Sequence, residues 1–253
     1  MRTYARYLVG LTAAAISIAT PAAAQIAISA NENKVILVDG VQTVARNPPP
    51  DTVTIIDLSG PSPKVTGEVR VPTAVVGPPS SVAIAPNRSI ALVTAATRID
   101  PADPTKTIPE DIVSVIDLTT AAPAVIAMLH AGAGASGVSI NGAGTLALVA
   151  NRIEGTISVF TISGRTVTKT GTVDLGAPDS GPSHVAFTRD GRSALVTRNN
   201  DSLISILSVD GEVAHRLVAL TFLGALRLLR MCALLQATVS EADGVSRAWV
   251  IFA

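Results

Sequence analysis

A short pattern of strands and turns recurs along the chain, and it constrains the fold more than any other feature. Its clearest copy is Gly181–Leu207, which reads as strand, turn, strand, turn and strand. Within this copy Asp190-Gly191 predicts a tight two-residue hairpin turn, because Asp and Gly tolerate the positive φ angles that such turns need. Asn199 and Asn200 break the second strand before the third begins. The copy therefore predicts three consecutive antiparallel strands.

Weaker copies of this pattern lie upstream, so the chain holds four units. A four-residue aliphatic segment marks the second strand of each unit; the segments are Val35–Val38, Ile90–Val93, Leu146–Val149 and Ser193–Val196. Their third residues are leucines spaced 55, 56 and 47 residues apart. An inner strand precedes each segment, beginning at Ile26, Ser81, Gly137 and His184, and a third strand follows it, beginning at Asp51, Asp111, Gly155 and Ser202. A repeat of about 45 to 60 residues that holds four short antiparallel strands is typical of a β-propeller blade.

The predicted fold is therefore all-β: a partial β-propeller of about four blades, each of four antiparallel strands, with a C-terminal helical tail. The predicted blades cover residues 25–76, 77–133, 134–179 and 180–213. Residues 214–253 form the predicted tail, because the Leu-rich run 215–236 has neither alternation nor a hairpin turn. Two interpretations of the tail stay open: a truncation or frame shift near Val213, or a genuine helix that caps an open sheet edge.

Two insertions interrupt the units between their second and third strands. They are Gly40–Pro50 and Thr97–Glu110, and both contain proline. Because proline cannot donate to a β-ladder, we expect both insertions to be irregular surface loops that enlarge one face of the propeller. That face is then the predicted binding surface.

The N-terminal segment predicts export. Arg2 and Arg6 precede an apolar run at Leu8–Ile18, and the small residues Ala22–Ala24 offer a cleavage site. Residues 1–24 are therefore a predicted signal peptide, and the mature chain begins at Gln25 in the periplasm or outside a bacterial cell. An uncleaved anchor is the alternative, but the run is shorter than the 20 or so residues that a spanning helix needs. The chain carries 19 basic and 19 acidic residues, a balance that argues against a nucleic-acid partner.

Candidate site residues follow the second strands or open an inner strand. His184 opens an inner strand, where it is either a general acid or base or a polar residue bonded to a neighbouring blade. The predicted ligand-binding residues are Arg98, Asn151, Arg152, His184, Arg198 and Asn199. Repeated arginines can converge on an anionic ligand, or they can be solvated side chains beside Asn-rich turns. No motif indicates a cofactor, and the histidines are too scattered to indicate a metal site.

The last unit carries a family resemblance. The stretch from His184 to Ile206, HVAFTRDGRSALVTRNNDSLISI, resembles the YVTN-type propeller repeat, and GPSHVAF resembles seven-bladed lactonase-like propellers. The resemblance extends over about Ile26 to Val213. It implies a hydrolase in which His184 and Arg198 act on a lactone ester in the central channel. Ser183 stands where the lactonase-like pattern favours Arg, and Asn200 where it favours an acid.

Three functional interpretations follow. The first is an exported, monomeric repeat scaffold that presents its loops to an envelope protein or a small-molecule ligand, with no catalytic residue and no cofactor. The second is a lactonase-like hydrolase of a lactone or sugar acid, with His184 and Arg198 as the catalytic residues. The third is a truncated product without function.

Overall fold

The computed structural model describes residues 26–74, 80–221 and 248–252, and every sheet in these ranges is antiparallel. The strands are β1 (Ile26–Asn31), β2 (Val35–Val38), β3 (Val41–Val44), β4 (Thr52–Asp57), β5 (Lys64–Arg70), β6 (Val82–Ile84), β7 (Ile90–Ile99), β8 (Thr107–Asp117), β9 (Ala124–His130), β10 (Ala135–Ile140), β11 (Leu146–Asn151), β12 (Thr156–Ser163), β13 (Thr166–Asp174), β14 (Pro182–Phe187), β15 (Ser193–Arg198), β16 (Leu203–Asp210), β17 (Val213–Thr221) and β18 (Ala248–Phe252). A 3-10 turn at Pro178–Ser180 precedes β14. The predicted signal peptide lies outside the described residues.

Four four-stranded sheets form four blades, which confirms the partial β-propeller. Blade 1 has the order β18-β1-β4-β5, and blade 2 the order β6-β7-β8-β9. Blade 3 is β10-β11-β12-β13, and blade 4 is β14-β15-β16-β17. Blades 2 to 4 therefore run from the inner strand outwards in chain order, as the repeated sequence pattern predicts.

Apolar side chains fill the spaces between successive blades. Because residues alternate across a strand, Leu92 of β7 packs towards blade 3 and Val93 packs towards blade 1. Leu148 of β11 likewise packs towards blade 4, while Val149 packs towards blade 2. All four side chains are fully buried. No blade hides both apolar faces alone, so the fold depends on stacking.

The prediction for the first unit is wrong in its strand assignment. Val35–Val38 is not the second strand of blade 1, because among the described strands it pairs only with β3, in a separate two-stranded hairpin. β1, predicted as the inner strand, takes the second place and pairs directly with β4, while β18 lies on its other side. The hairpin turn at Asp39-Gly40 has positive φ at both residues, as a two-residue turn requires. The insertion therefore begins before Val35 and is an ordered hairpin rather than a loop.

A buried ionic cluster fixes the base of this hairpin. Lys34 Nζ lies 2.9 Å from Glu32 Oε1 and 2.7 Å from Asp51 Oδ2, and it also donates to the carbonyl oxygen of Thr73. The side chains of Lys34, Glu32 and Asp51 are 8%, 0% and 10% exposed. Removing one member leaves a buried charge uncompensated, so the cluster holds the hairpin to the start of β4.

The second insertion is also more regular than predicted. β7 and β8 continue their ladder beyond the blade, and Thr97 pairs with Pro109 across it. The register shifts between Ala95 and Thr97, and a bulge of this kind is where a strand tolerates proline. Residues 97–110 therefore form a two-stranded arm rather than an irregular loop.

Blade 4 corrects two further predictions. The predicted helix from His215 is wrong over His215–Thr221, which lies in β17 and pairs with β16. Alternation in this segment is masked by leucine and valine on both faces, so periodicity could not reveal the strand. The rest of the helical prediction, up to Gln236, lies outside the described residues. At Asp190-Gly191 only Gly191 takes positive φ, because Thr188 and Ser193 close a longer connection.

Candidate functional site

The ends of the sheets that carry the connections from second to third strands form one face, which we call the upper face. In blades 3 and 4 these connections are residues 152–155 and 199–202. The connections from each fourth strand to the next inner strand reach the same face, because the strands alternate in direction. Most of the predicted site residues lie at this face.

His184 is the third residue of β14 and pairs with Thr197 of β15. Its imidazole is largely buried, and its Nδ1 is buried without a hydrogen-bond partner among the described residues. Burial lowers the pKa of His184 below its ordinary value of 6.5, because an apolar surrounding disfavours the cation. The imidazole is therefore neutral at pH 7 and able to accept a proton.

Three inner strands meet beside His184, at Gly137 of β10. A Cβ atom built on Gly137 would lie 2.5 Å from the carbonyl oxygen of Ser183, 2.7 Å from Cα of His184 and 2.8 Å from Oγ of Ser80. Val138 N also donates to the carbonyl oxygen of Ser80, at 2.9 Å. The missing side chain of Gly137 thus lets residues of blades 2, 3 and 4 approach one another closely.

The buried hydroxyl of Ser183 is bound to the side chain of Asn199. Ser183 Oγ donates to Asn199 Oδ1 at 2.8 Å and lies 3.1 Å from Thr197 Oγ1. The backbone N–H of Asn199 donates to the carbonyl oxygen of Gly181 at 2.9 Å. These bonds hold the backbone immediately before His184.

One position of the second strands, close to the upper face, is equivalent in all four blades. The residues there are Asn31, Ala95, Asn151 and Arg198. Asn151 is fully buried; its Oδ1 accepts from Gly132 N at 3.0 Å, and its Nδ2 donates to Thr156 Oγ1 at 2.8 Å and Ser158 Oγ at 3.0 Å. Asn31 makes the same type of bond to Thr54 Oγ1, at 2.9 Å. The asparagines therefore tie the second strand to hydroxyls on the third.

Arg198 occupies the place of Asn151 in blade 4. Its Nη1 donates to Ser205 Oγ at 3.3 Å, and its Nη2 lies 2.5 Å from Asp201 Oδ2. Its side chain is 5% exposed, and the buried Nε has no partner in the part of the chain that the structure describes. Arg198 is equivalent in the ladder to Asn151, and not to Arg152, which is the next residue along the chain.

The two remaining arginines lie in different surroundings. Arg152 is half-buried, and its Nη1 is buried without a partner within the described ranges. Arg98 lies on the β7–β8 arm, half-exposed, with Nε 3.3 Å from Glu110 Oε2. The structure therefore brings His184, Arg198 and Asn199 together on adjacent strands of blade 4, whereas Asn151 and Arg152 belong to blade 3 and Arg98 to the arm.

Sequence reasoning missed one pair on the upper face. His130 Nδ1 lies 2.9 Å from Asp111 Oδ1, with the histidine side chain 72% exposed. Only the register of β8 and β9 brings the two residues together, so spacing alone gave no signal. No group of acidic, histidine or cysteine residues in the described ranges is arranged to hold a metal ion.

A cleft of about 410 Å³ lies at the opposite end of the sheets, between the turns of blades 3 and 4. Arg189, Arg192 and Asn141 are among its lining residues, and none of the predicted site residues lines it. Asn141 Oδ1 already accepts from Thr145 N, at 2.9 Å, and from Leu146 N, at 3.1 Å. The cleft is therefore separate from the site around His184.

The family model described as "Lactonase, 7-bladed beta-propeller" matches residues 102–216, which is less than half of the 253 residues. The matched part runs from the β7–β8 arm through blades 3 and 4 and contains His184. No curated protein matches the sequence. The chain is thus a partial β-propeller whose matched part is similar to the lactonase family.

Three solved structures share the fold. Hydrazine synthase from Kuenenia stuttgartiensis aligns with a TM-score of 0.50 and 22% identity, over 68% of this chain and 43% of that one. A periplasmic gluconolactonase from Pseudomonas aeruginosa aligns with a TM-score of 0.50 and 14% identity, over 75% of this chain and 57% of that one. A hypothetical selenium-binding protein from Sulfolobus tokodaii gives a TM-score of 0.51 and 12% identity, over 70% of this chain and 48% of that one. The chain spans about half the length of these structures, and at such identities the likeness concerns the fold alone.

None of the described segments forms a helix with the length and hydropathy needed to cross a lipid bilayer.

Proposed function

We propose that the protein is a lactonase-like hydrolase that opens the ring of a lactone or sugar-acid substrate. The observation that carries the proposal is the lactonase-family match over residues 102–216, which includes the buried, neutral imidazole of His184. The gluconolactonase among the structural neighbours makes a sugar lactone the first substrate class to test.

The proposed chemistry needs one general base and one water molecule. His184 takes a proton from the water, and the oxygen attacks the lactone carbonyl carbon to give a tetrahedral oxyanion. The oxyanion then collapses, the ring C–O bond breaks, and the imidazolium returns its proton to the departing ring oxygen. The products are a free hydroxyl and a carboxylic acid, which ionises in solution. Lactone and water are thus consumed in equal amounts, and His184 ends the cycle neutral.

Arg198 has a positioning role in this proposal. Its guanidinium is held by Asp201 and Ser205, so it fixes the end of β15 opposite His184. Asn199, the next residue, binds Ser183 immediately before His184. Loss of Arg198 would therefore disturb the orientation of the imidazole.

The test is turnover of glucono-δ-lactone by the full chain. Acid release is measured in a pH-stat, and the rate of spontaneous hydrolysis is subtracted. We expect His184→Ala to lower kcat by about 10²- to 10⁴-fold, the range for removal of a general base. His130→Ala is the matched control, because it removes an exposed histidine from an exposed ion pair. It should leave turnover unchanged. If His184→Ala and the parent protein have equal activity and the same thermal unfolding, His184 takes no part in the reaction.

A binding scaffold is the second candidate, and the β2–β3 hairpin favours it. Four apolar side chains of the hairpin are exposed: Ile36 by 43%, Leu37 by 48%, Val38 by 46% and Val41 by 64%. Exposed apolar groups of this kind are typical of interaction sites. If the scaffold interpretation is correct, Leu37→Lys abolishes cross-linking to an envelope protein, while the parent protein hydrolyses no lactone.

Export to the periplasm or cell exterior is part of the proposal. It rests on the basic and apolar N-terminal segment and the small residues before Gln25. Mass spectrometry of the chain recovered from a bacterial periplasm should give a mature N-terminus at Gln25. Recovery of the intact N-terminus in the cytoplasm would contradict it.

A further inference from the structure

Two residues with buried polar groups, Ser80 of blade 2 and His184 of blade 4, both approach Gly137. A Cβ built on Gly137 would be 2.8 Å from Ser80 Oγ and 2.7 Å from His184 Cα, so these two atoms are separated by no more than the sum of those distances. Ser80 Oγ and His184 Nδ1 are both buried, and neither has a hydrogen-bond partner among the residues that the structure describes. Ser81 Oγ, next along the chain, shares this condition.

Groups of this kind are expensive to leave unbonded. A buried hydroxyl or ring nitrogen without a partner destabilises the fold, and native proteins commonly satisfy such groups with a buried water molecule. A buried water molecule needs two to four polar partners. Ser80 and His184, which both approach Gly137, supply one hydroxyl and one ring nitrogen. The unpartnered hydroxyl of Ser114 on β8 differs, because its ladder partners Val93 and Met128 are not ionisable.

We propose that Ser80 and His184 hold one water molecule between them, and that this water is the nucleophile of the hydrolysis. The second part rests on the proposed lactonase function. Ser80 Oγ accepts or donates a hydrogen bond to the water, and the imidazole removes its proton. Ser80 is thus a positioning residue, contributed by blade 2 to a base on blade 4. Gly137 is the position that makes the approach possible, since a side chain there would meet residues of blades 2 and 4.

The experiment compares Ser80→Ala with Ser114→Ala in the full chain. Both changes remove a buried hydroxyl without a partner in the described ranges, and both hydroxyls belong to the blade 2 part of the chain, so Ser114→Ala is a control for the structural effect alone. The first readout is the titration of the His184 imidazole, followed by NMR. We expect Ser80→Ala to lower the pKa of His184 further, because the imidazolium loses the water that solvates it, and Ser114→Ala to leave it unchanged.

The second readout is steady-state hydrolysis of glucono-δ-lactone. Ser80→Ala should lower kcat about tenfold with KM unchanged, because the lost hydrogen bond orients water rather than substrate. Ser114→Ala should alter neither constant. If Ser80→Ala and Ser114→Ala behave alike in both readouts, the inference is wrong.

The two proposals fail in different ways. If the parent protein hydrolyses no lactone, and only Ser80→Ala shifts the His184 titration, the shared water is supported and the hydrolase function is wrong. If the parent protein hydrolyses lactone through His184, and Ser80→Ala changes neither readout, the hydrolase function is supported and the shared water is wrong.

Discussion

Blades 3 and 4 have the same strand order and matching pairing, yet they differ at two equivalent positions. Blade 3 has Gly137 on its inner strand and Asn151 at the end of its second strand. Blade 4 has His184 and Arg198 in these places. In blade 3 the amide of Asn151 is bonded at both ends, whereas in blade 4 His184 Nδ1 and Arg198 Nε have no partner in the described part of the chain.

The difference separates a blade built for stability from one with groups left available for chemistry. The backbone of a blade accepts either set of residues, because the ladder depends on main-chain bonds and on the apolar faces. Ionisable groups with unused bonding capacity cost stability, and such a cost is common at functional sites. Blade 4 is therefore the better candidate for the site, and the following four changes test that contrast in order of expected effect.

Asn151→Ala should have the largest effect on stability. It removes three hydrogen bonds and leaves the buried N–H of Gly132 and the hydroxyls of Thr156 and Ser158 with fewer partners. We expect a loss of about 3–5 kcal/mol in the free energy of unfolding, measured by denaturant titration. A loss below about 1 kcal/mol would show that the amide network of blade 3 is not a stabilising feature.

Gly137→Ala should cost about 1–3 kcal/mol, because the new methyl group meets the Ser183 carbonyl oxygen at 2.5 Å and the strands must separate. Gly142→Ala is the matched control: it lies in a turn of the same blade and has no atom within 4 Å of the added Cβ. Unfolding curves of the two variants should differ. Equal curves would mean that the inner strands are less closely packed than the structure shows.

Arg198→Asn tests whether Arg198 replaces an asparagine of the ladder. We expect Arg198→Ala to lose about 1–3 kcal/mol, since it removes the bonds to Asp201 and Ser205. Asn at this position can reach a third-strand hydroxyl, as Asn31 and Asn151 do, so Arg198→Asn should regain about 1 kcal/mol of that loss. If the two variants are equally unstable, the positions are equivalent in register only.

The smallest effect is a pH dependence. The folded-state pKa of His184 is lowered by burial, so the unfolded chain binds a proton more readily than the folded one. His184 therefore costs no stability above the ordinary histidine pKa of 6.5, and it destabilises the fold as the pH falls below that value. The decrease in melting temperature between pH 7 and pH 5 should be smaller in His184→Asn than in the parent protein. An identical decrease would assign the acid sensitivity to other groups.

Much of the fold could be predicted from the sequence, because alternation and turn chemistry are local signals. The third strands and the stacking of four repeated units both appear in the structure. Blade 1 was assigned wrongly because IAISAN and VILV are both apolar and β-branched, and only long-range pairing shows which of them lies against β4. β17 was read as a helix because its leucines and valines fill both faces.

Less of the candidate site could be predicted. His184 was identifiable as a polar residue opening an inner strand, but its missing bonds and lowered pKa depend on packing from three blades. Ser80 gave no signal, since a serine before a strand is ordinary in sequence and its proximity to His184 is set by Gly137. Arg198 is equivalent to Asn151 rather than to Arg152 because of the strand register. A shift of one residue would align Arg198 with Arg152 instead.

The β2–β3 hairpin has a practical consequence. Within the described ranges its two strands pair with each other alone, while the buried Lys34 cluster fixes both ends of the insertion to blade 1. A foreign peptide placed between Asp39 and Gly40 would extend the tip without touching any ladder of the blades, and longer loops add little entropic cost. The hairpin is therefore a ready-made platform for displaying epitopes or affinity tags.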